Sequence, residues 1–216
     1  MAVPAIRSYS MPTAAELPPN TARWSVDSRR SVLLVHDMQR YFLAPFAEHE
    51  SPSTDLVRNL MSLRRRCAEL GVPVVFTAQP GDMTPRQRGL LHDFWGRGMS
   101  AAPEERALID GLEPAGDTVL TKWRYSAFHG SGLLDHLRGL DRDQIIICGV
   151  YAHLGCLITA YEAFSHDIQP FFVADAVADF SRSYHDLALT LAAESCATVT
   201  TTAALVAQLA DRTVAA

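Results

Sequence analysis

The sequence has no long apolar run and no excess of basic charge. No segment approaches the ~20 consecutive apolar residues that cross a bilayer, and residues 1–30 contain no apolar stretch of signal-peptide length. We therefore expect a cytoplasmic protein with no membrane partner. The 19 Lys and Arg residues are outnumbered by 24 Asp and Glu residues, and the formal charge is -5. Because binding to a phosphate backbone needs clustered positive charge, nucleic acid is not expected as a partner either.

Cysteine is scarce, and neither cysteine nor histidine follows a metal-binding pattern. The 4 cysteines show no CxxC spacing, and the 8 histidines include no HExxH motif. Free, buried thiols are therefore expected rather than disulfides. The sequence also lacks a GxGxxG motif after a strand, a P-loop and a GxSxG motif. These absences predict a protein without a metal, a dinucleotide or another cofactor.

Six short apolar runs rich in β-branched residues recur along the chain. Their hydrophobicity is continuous rather than alternating, which is typical of strands buried on both faces. The runs span residues 31–36, 72–78, 117–122, 144–150, 170–175 and 197–202. Each is a candidate strand of a parallel sheet.

Helical patterns separate these apolar runs. The clearest has apolar residues at Leu56, Leu60, Leu63, Cys67 and Leu70. The others span residues 103–112, 131–140, 155–166, 182–195 and 203–210. Alternating strands and helices predict one three-layer α/β/α domain over residues 1–216, with a doubly wound, six-stranded parallel sheet. Residues 1–30, with four prolines, are expected to form an irregular arm packed on this domain.

Polar residues stand directly after several of the predicted strands. In doubly wound sheets, ligands bind beyond the carboxyl ends of the strands, where the strand order reverses. The residues at these ends are His36, Asp37, Gln79, Lys122, Tyr151, His153, Asp175 and Asp179. We therefore expect a small-molecule site built from members of this set.

Five ordered blocks resemble the isochorismatase family. They are LLVHDMQRYF (33–42), TAQPGDMT (77–84), RGLLHDFWGRGM (88–99), KWRYSAFHGS (122–131) and GVYAHLGCLITAYEAFSHDIQPFFVADAVADFS (149–181). Within the family they look most like phenazine-pathway enzymes that hydrolyse 2-amino-2-deoxyisochorismate, with the isochorismate hydrolases of siderophore pathways next. The latter often carry a C-terminal aryl-carrier domain, which is not expected here because the sequence ends at Ala216.

The resemblance implies which residues form the site and that the protein is a homodimer. It implies Asp37, Lys122 and Gly155 as catalytic residues, and a cis peptide bond just before Tyr151. Substrate contacts are implied for Gln79, for Arg88 through a bidentate grip on a carboxylate, and for Tyr151 through its hydroxyl. Four aromatic residues are expected to wall the pocket or to belong to the core: Phe42, Trp95, Tyr125 and Phe128. A homodimer is expected because dimers are common in the family and among oligomers in general.

The implied reaction is the hydrolysis of a vinyl ether. Asp37 would protonate the enolpyruvyl CH2 carbon as general acid, and water would capture the resulting oxocarbenium ion. Collapse of the hemiketal then gives pyruvate and a dihydro-3-hydroxyanthranilate. Lys122 would position Asp37 and the ether oxygen, and the backbone N–H of Gly155 would meet an anion or an oxygen. On the sequence alone, Asp37 serves equally well as a cap for the following turn.

Three alternatives remain open at this stage. The first is an isochorismate hydrolase, which yields 2,3-dihydro-2,3-dihydroxybenzoate and pyruvate. The second is a cysteine hydrolase, since relatives such as nicotinamidases have a nucleophilic cysteine at the position of Gly155. Cys156 lies one residue later, and a step of about 100° around a helix would turn its thiol away, so we expect a buried bystander. The third is a catalytically silent docking subunit, which retention of Asp37, Lys122 and Gly155 argues against.

Overall fold

A computed structural model describes residues 3–211 of the chain, and within them six parallel strands form one sheet. The spatial order is β3-β2-β1-β4-β5-β6. The strands are β1 (Ser31–His36), β2 (Val74–Ala78), β3 (Thr118–Thr121), β4 (Gln144–Val150), β5 (Gln169–Ala178) and β6 (Thr198–Thr200). The predicted doubly wound, six-stranded parallel sheet is confirmed, whereas residues 1–2 and 212–216 lie outside the described part.

Helices connect the strands and cover both faces of the sheet. They are α1 (Arg40–Leu43), α2 (Ser53–Glu69), α3 (Pro85–Arg88), α4 (Leu91–Trp95), α5 (Pro103–Arg106), α6 (Leu133–Gly139), α7 (Leu157–Ser165), α8 (Arg182–Ser195) and α9 (Thr202–Asp211). A π-helical turn, Ala152–Cys156, leads directly into α7. The long helices are amphipathic, so each buries one stripe against the sheet.

The side chains of each strand alternate between two apolar cores. On β1, Leu33 and Val35 face the core that contains the buried side chains of α2 and α9. Val32 and Leu34 face the opposite core, which contains those of α6, α7 and α8. Because both faces are covered, every residue of β1 and β4 is buried. The result is the predicted three-layer α/β/α arrangement.

The strand order reverses between β1 and β4. From β1 the chain moves outward through β2 to β3, and it then returns to β4 on the other side of β1. The loops that leave β1 and β4 therefore run in opposite directions and open a crevice at the carboxyl edge of the sheet. His36, at the end of β1, pairs with Gly149 of β4 and with Thr77 of β2 at this edge.

The helix predicted over residues 103–112 is wrong beyond its first turn. Helix α5 ends at Arg106, and Ala107 has an extended backbone with φ -59° and ψ 145°. Leu108 then forms an antiparallel bridge with Gln39, and the N–H of Ile109 donates to the carbonyl of Met38 at 3.0 Å. The apolar residues after 106 therefore pack against the loop that follows β1 instead of continuing a helix.

Residues 3–30 lie along the outside of the sheet and its helices. Their regular structure is a short 3-10 turn at Ala14–Glu16, and Ile6 is buried through a bridge to Phe46. The hydroxyl of Tyr9 accepts a hydrogen bond from the N–H of Asp179 at 2.8 Å. Among the described residues, no helix is long and apolar enough to cross a membrane.

Candidate active site

A cavity opens at the carboxyl edge of the sheet, where the strand order reverses. Its lining includes every residue of the predicted site: Asp37, Phe42, Gln79, Arg88, Trp95, Lys122, Tyr125, Tyr151 and Gly155. Val3 and Phe180 also line it, so the N-terminal arm and the segment after β5 contribute to its wall.

Asp37 and Lys122 form a buried ion pair in this cavity. Lys122 Nζ lies 2.8 Å from Asp37 Oδ2, and the two side chains are 2% and 4% exposed. Asp37 follows β1 directly, and Lys122 follows the last residue of β3, so the carboxyl ends of two strands bring the pair together. The N–H of Lys122 donates to the carbonyl of Ala78 at 2.9 Å, which extends the pairing of β2 with β3 by one residue.

Two further donors hold the Asp37 carboxyl group. Thr77 Oγ1 donates to Oδ1 at 2.7 Å, and Gln79 Nε2 donates to Oδ2 at 3.1 Å. Burial by itself opposes ionisation, but the ammonium of Lys122 and the hydrogen bonds from Lys122 and Thr77 outweigh it and lower the pKa of Asp37. Thr77 was not predicted as a site residue, because a threonine in an apolar run reads as an ordinary strand residue. The side chain of Asp37 thus has a fixed position.

Gly155 meets a steric requirement besides its predicted role, which stays a prediction. A Cβ on residue 155 would lie 2.1 Å from Cε1 and 2.8 Å from Nε2 of His36. The imidazole of His36 therefore occupies the space that any side chain at position 155 would fill. The sequence singled out Gly155 for its backbone N–H, whereas the structure shows a steric requirement.

His36 is buried, and it lines the cavity beside Asp37. Its Nδ1 lies 2.8 Å from the carbonyl oxygen of Val150. Burial lowers the pKa of His36 to about 4, so the ring is neutral at pH 7. The peptide bond between Val150 and Tyr151 is cis, as the resemblance implied.

Arg88 reaches the cavity from α3 and is buried. Its Nε donates to the carbonyl of Gly96 at 2.9 Å, which fixes one edge of the guanidinium group. A Cβ on residue 98 would lie 2.7 Å from Arg88 Cζ, so Gly98 leaves room for this side chain. Burial lowers the pKa of Arg88 from its ordinary value, but a guanidinium keeps its charge at neutral pH. Arg88 and Lys122 therefore both present positive charge to the cavity, and Arg124 also lines it.

Aromatic residues form much of the cavity wall. Trp95 Nε1 donates to the hydroxyl of Tyr125 at 2.7 Å, and Phe180 packs on Tyr151 with ring centroids 4.4 Å apart. The hydroxyl of Tyr151 donates to the carbonyl of Phe42 at 2.7 Å, and its oxygen can still accept a hydrogen bond, so the predicted substrate contact stays a prediction.

Phe128 does not belong to this wall in the described part of the chain. It lies in the core beneath α6, α7 and α8 and packs against His166 with ring centroids 5.5 Å apart. Of the two roles open to it, the core role is the one observed.

Cys156 is buried in the core of α6, α7 and α8. Within residues 3–211, the cavity lining includes Gly155 but not Cys156. Burial raises the pKa of this thiol well above its ordinary value, which disfavours the nucleophilic thiolate. The same burial is found for Cys67, Cys148 and Cys196, and the cysteines are free thiols.

The remaining polar strand-end residues serve the loops around the site. Asp179 accepts hydrogen bonds from the N–H of His153 and from His153 Nδ1, each at 2.6 Å, and so anchors the π-helical turn. Asp175 accepts from the N–H of Thr202 at 2.7 Å at the start of α9. Among residues 3–211, no three His, Cys, Asp or Glu side chains are grouped so that they could hold a metal ion.

Comparison with known proteins agrees with this geometry. Residues 31–204 match the model of the isochorismatase domain. The chain belongs to the isochorismatase family. It is 57% identical over 201 residues to the phenazine biosynthesis protein PhzD1 of Pseudomonas aeruginosa, which covers 93% of this chain and 96% of that protein. It is 52% identical to the isochorismatase of Bacillus subtilis over 97% of this chain and 67% of that protein.

Solved structures show the same fold at lower sequence identity. A cysteine hydrolase from Pseudomonas syringae superimposes with a TM-score of 0.79 and 23% identity, covering 90% of this chain and 98% of that protein. The fold of this chain is therefore shared with a protein described as a cysteine hydrolase. The fold alone does not distinguish a cysteine hydrolase from a vinyl-ether hydrolase. The side chains that line the cavity have to decide between them.

Proposed function

We propose that this member of the isochorismatase family hydrolyses the vinyl ether of 2-amino-2-deoxyisochorismate. The products are pyruvate and a dihydro-3-hydroxyanthranilate. The observation that carries the proposal is the buried Asp37–Lys122 pair in a cavity where position 155 has no side chain and the Cys156 thiol lies in the core. Among the described residues, the cavity lining supplies an acid but no cysteine nucleophile, and a vinyl ether needs only the acid.

Asp37 is the general acid of this mechanism. Its carboxyl proton passes to the terminal CH2 carbon of the enolpyruvyl group, which becomes a methyl group on an oxocarbenium carbon. Water adds to that carbon, and the hemiketal releases the ring oxygen and pyruvate. Thr77, Gln79 and Lys122 hold the carboxyl group in one orientation, so the proton is delivered along a fixed direction.

Lys122 and the substrate together set the protonation state of Asp37. In the structure, Lys122 favours the carboxylate, whereas the reaction needs the acid. An isochorismate-type substrate carries two carboxylates, and negative charge entering beside the pair raises the pKa of Asp37. The pair titrates as a unit, and Lys122 faces the ether oxygen, which gains electron density when the hemiketal releases it.

Arg88 is the proposed partner of a substrate carboxylate. Its guanidinium lines the cavity with one edge held by Gly96, which leaves the terminal nitrogens as donors of fixed direction. The aromatic wall of Trp95, Tyr125, Tyr151 and Phe180 encloses the ring. Enclosure keeps bulk water from the oxocarbenium ion and strengthens each electrostatic contact.

The relatives support the amino substrate, and the hydroxyl substrate is the second candidate. The relative from Pseudomonas aeruginosa is named for phenazine biosynthesis, and the relative from Bacillus subtilis is named isochorismatase. The two substrates differ by one group on a ring carbon, and a pocket rejects such a difference strongly only when a buried partner is left unpaired. We therefore expect measurable pyruvate release from both, with the larger kcat/KM for 2-amino-2-deoxyisochorismate.

The test is pyruvate release from each substrate in the presence of a chelator. Asp37→Asn should lower kcat/KM by about 10²- to 10⁴-fold, the usual contribution of a general acid. Asp141→Asn is the matched control, because Asp141 is an exposed aspartate whose φ of 54° resembles the 51° of Asp37. No pyruvate from either substrate with the wild-type protein would refute the proposal. Full turnover by Lys122→Met would remove Lys122 from the mechanism.

A further inference from the structure

The imidazole of His36 has one nitrogen in a hydrogen bond and one without. Nδ1 lies 2.8 Å from the carbonyl oxygen of Val150, and a carbonyl oxygen only accepts, so Nδ1 carries the hydrogen. In the neutral ring, Nε2 then carries a lone pair. Nε2 is buried and has no hydrogen-bond partner among the residues that the structure describes. Buried polar atoms of this kind are rare, and each calls for a reason.

The position of this ring links it to the reacting groups. His36 precedes Asp37 in the chain, lines the same cavity, and lies against Gly155 on the side where a Cβ would be. The charges that face the ring are the carboxylate of Asp37 and the ammonium of Lys122, and the carbonyl of Tyr125 also faces it. The ring is therefore a neutral acceptor beside the catalytic ion pair.

The reaction also needs an acceptor for a proton of the attacking water. After Asp37 has given its proton to carbon, water adds to the oxocarbenium ion and must lose a proton. Lys122 and Arg88 are cations and only donate. The oxygens of Asp37 already accept from Thr77, Gln79 and Lys122. A lone pair on Nε2 of His36 meets this need.

We propose that His36 is a further catalytic residue: Nε2 holds the attacking water and takes its proton as the water oxygen bonds to the oxocarbenium carbon. The imidazolium then gives that proton to the departing ring oxygen as the bond between this oxygen and the hemiketal carbon breaks. The remaining hemiketal hydroxyl proton passes to the Asp37 carboxylate as the carbonyl of pyruvate forms. Both residues end as they began, and one water is consumed for each ether cleaved. This assignment rests on the proposed vinyl-ether hydrolysis.

A labelling experiment in D2O separates capture of the cation from its formation. In the wild-type protein capture is fast, so unreacted substrate recovered at half conversion carries no deuterium on its methylene carbon. In His36→Asn, slow capture lets the cation return a hydrogen to Asp37, and recovered substrate becomes deuterated at that carbon. We expect this label together with a fall in kcat of about 10²-fold or more, read by mass spectrometry and pyruvate release.

His185→Asn is the matched control for this variant. His185 is equally buried, but its Nδ1 lies 3.1 Å from the Tyr9 hydroxyl and its Nε2 lies 2.9 Å from the Ala174 carbonyl oxygen. We expect no label and unchanged kcat. His36→Asn with wild-type turnover, or with slow turnover and no label, would overturn the role of His36. Absence of pyruvate from the wild-type protein would instead refute the proposed function.

A second measurement needs no variant and holds even where His36→Asn does not fold. The nitrogen-15 NMR shifts of His36 in the wild-type protein at pH 7 report which ring nitrogen carries the hydrogen. The proposal requires hydrogen on Nδ1 and a lone pair on Nε2. Hydrogen on Nε2, directed at the Tyr125 carbonyl, would leave no acceptor for water and would rule out the base.

Discussion

Cε1 of His36 lies 2.1 Å from the point that a Cβ on residue 155 would occupy. The two residues are 119 positions apart in the chain, yet the ring of one fills the space left by the missing side chain of the other. The size of the side chain that fits at position 155 therefore depends on the side chain at position 36. A family member with a side chain at the position of Gly155 must place a different group, or a different rotamer, at the position of His36.

Gly155→Ala should therefore disturb both stability and activity. Inserting a methyl group against a buried ring costs about 1–3 kcal/mol of unfolding free energy, and displacement of His36 should lower kcat. Gly139→Ala is the control, because no described atom lies within 4 Å of a Cβ at that helical position. Urea unfolding and pyruvate release measure the two effects.

The coupling itself can be measured with a double variant. His36→Ala removes the ring and opens the space, so adding Gly155→Ala to it should cost less unfolding free energy than adding it to the wild-type protein. Equal costs in the two backgrounds would contradict the steric explanation. Activity is not informative here, since His36→Ala also removes the proposed base.

The Asp37–Lys122 pair predicts non-additive effects on stability. Asp37→Asn leaves a buried ammonium without its counterion, and Lys122→Met leaves a buried carboxylate, so each is expected to cost about 3–5 kcal/mol. The double variant leaves neither charge and should be more stable than the sum of the two single effects implies. If the two single effects on the free energy of unfolding simply added up in the double variant, as measured by urea unfolding, water would screen the pair. That result would contradict the side-chain exposures of only 2% and 4%.

Much of this fold and site follows from local features of the sequence. Continuous apolar runs predicted β1 and β4 to the residue, because strands buried on both faces need apolar side chains at every position. Asp37, Gln79 and Lys122 stood out as polar residues directly after such runs. In a parallel sheet those strand ends meet at one edge, so adjacency in space followed from strand order.

Other features depend on contacts between distant segments, which no local pattern encodes. Thr77 reads as a strand residue, and its hydrogen bond to Asp37 exists only because β2 lies beside β1 in this register. The fit of His36 to Gly155 requires β4 beside β1 as well. Helix α5 was predicted too long, because the apolar residues after Arg106 contact the loop after β1 and mimic a helical stripe.

Two buried histidines make the stability of the protein depend on pH. Burial lowers the pKa of His36 and of His185 to about 4, although the Ala174 carbonyl, Asp179 and Asp186 oppose the shift at His185. In the unfolded chain the pKa is about 6.5, so between these values the unfolded state binds more protons. The free energy of unfolding should therefore fall as the pH falls from 7 to 5, by about 2 kcal/mol for each histidine.

His185→Asn isolates one of these contributions. The variant should lose about 2 kcal/mol less than the wild-type protein between pH 7 and pH 5, as measured by urea unfolding at both pH values. Asp37 does not interfere, because its lowered pKa makes its contribution disappear only below about pH 4. An unchanged pH dependence in His185→Asn would mean that the pKa of this ring is the same in the folded and the unfolded state.

Cys156 allows a direct choice between the two chemistries found on this fold. The thiol is fully buried and its pKa is raised. The ring of His36 fills the space that a side chain on the preceding residue, Gly155, would need. Cys156→Ala should therefore keep wild-type kcat and lose only about 1 kcal/mol of stability, as for the removal of a small buried group. Cys148→Ala, at an equally buried cysteine on β4, is the control. If Cys156→Ala stayed folded but released no pyruvate, the thiol would be part of the mechanism, and the protonation of carbon by Asp37 would not suffice to explain catalysis.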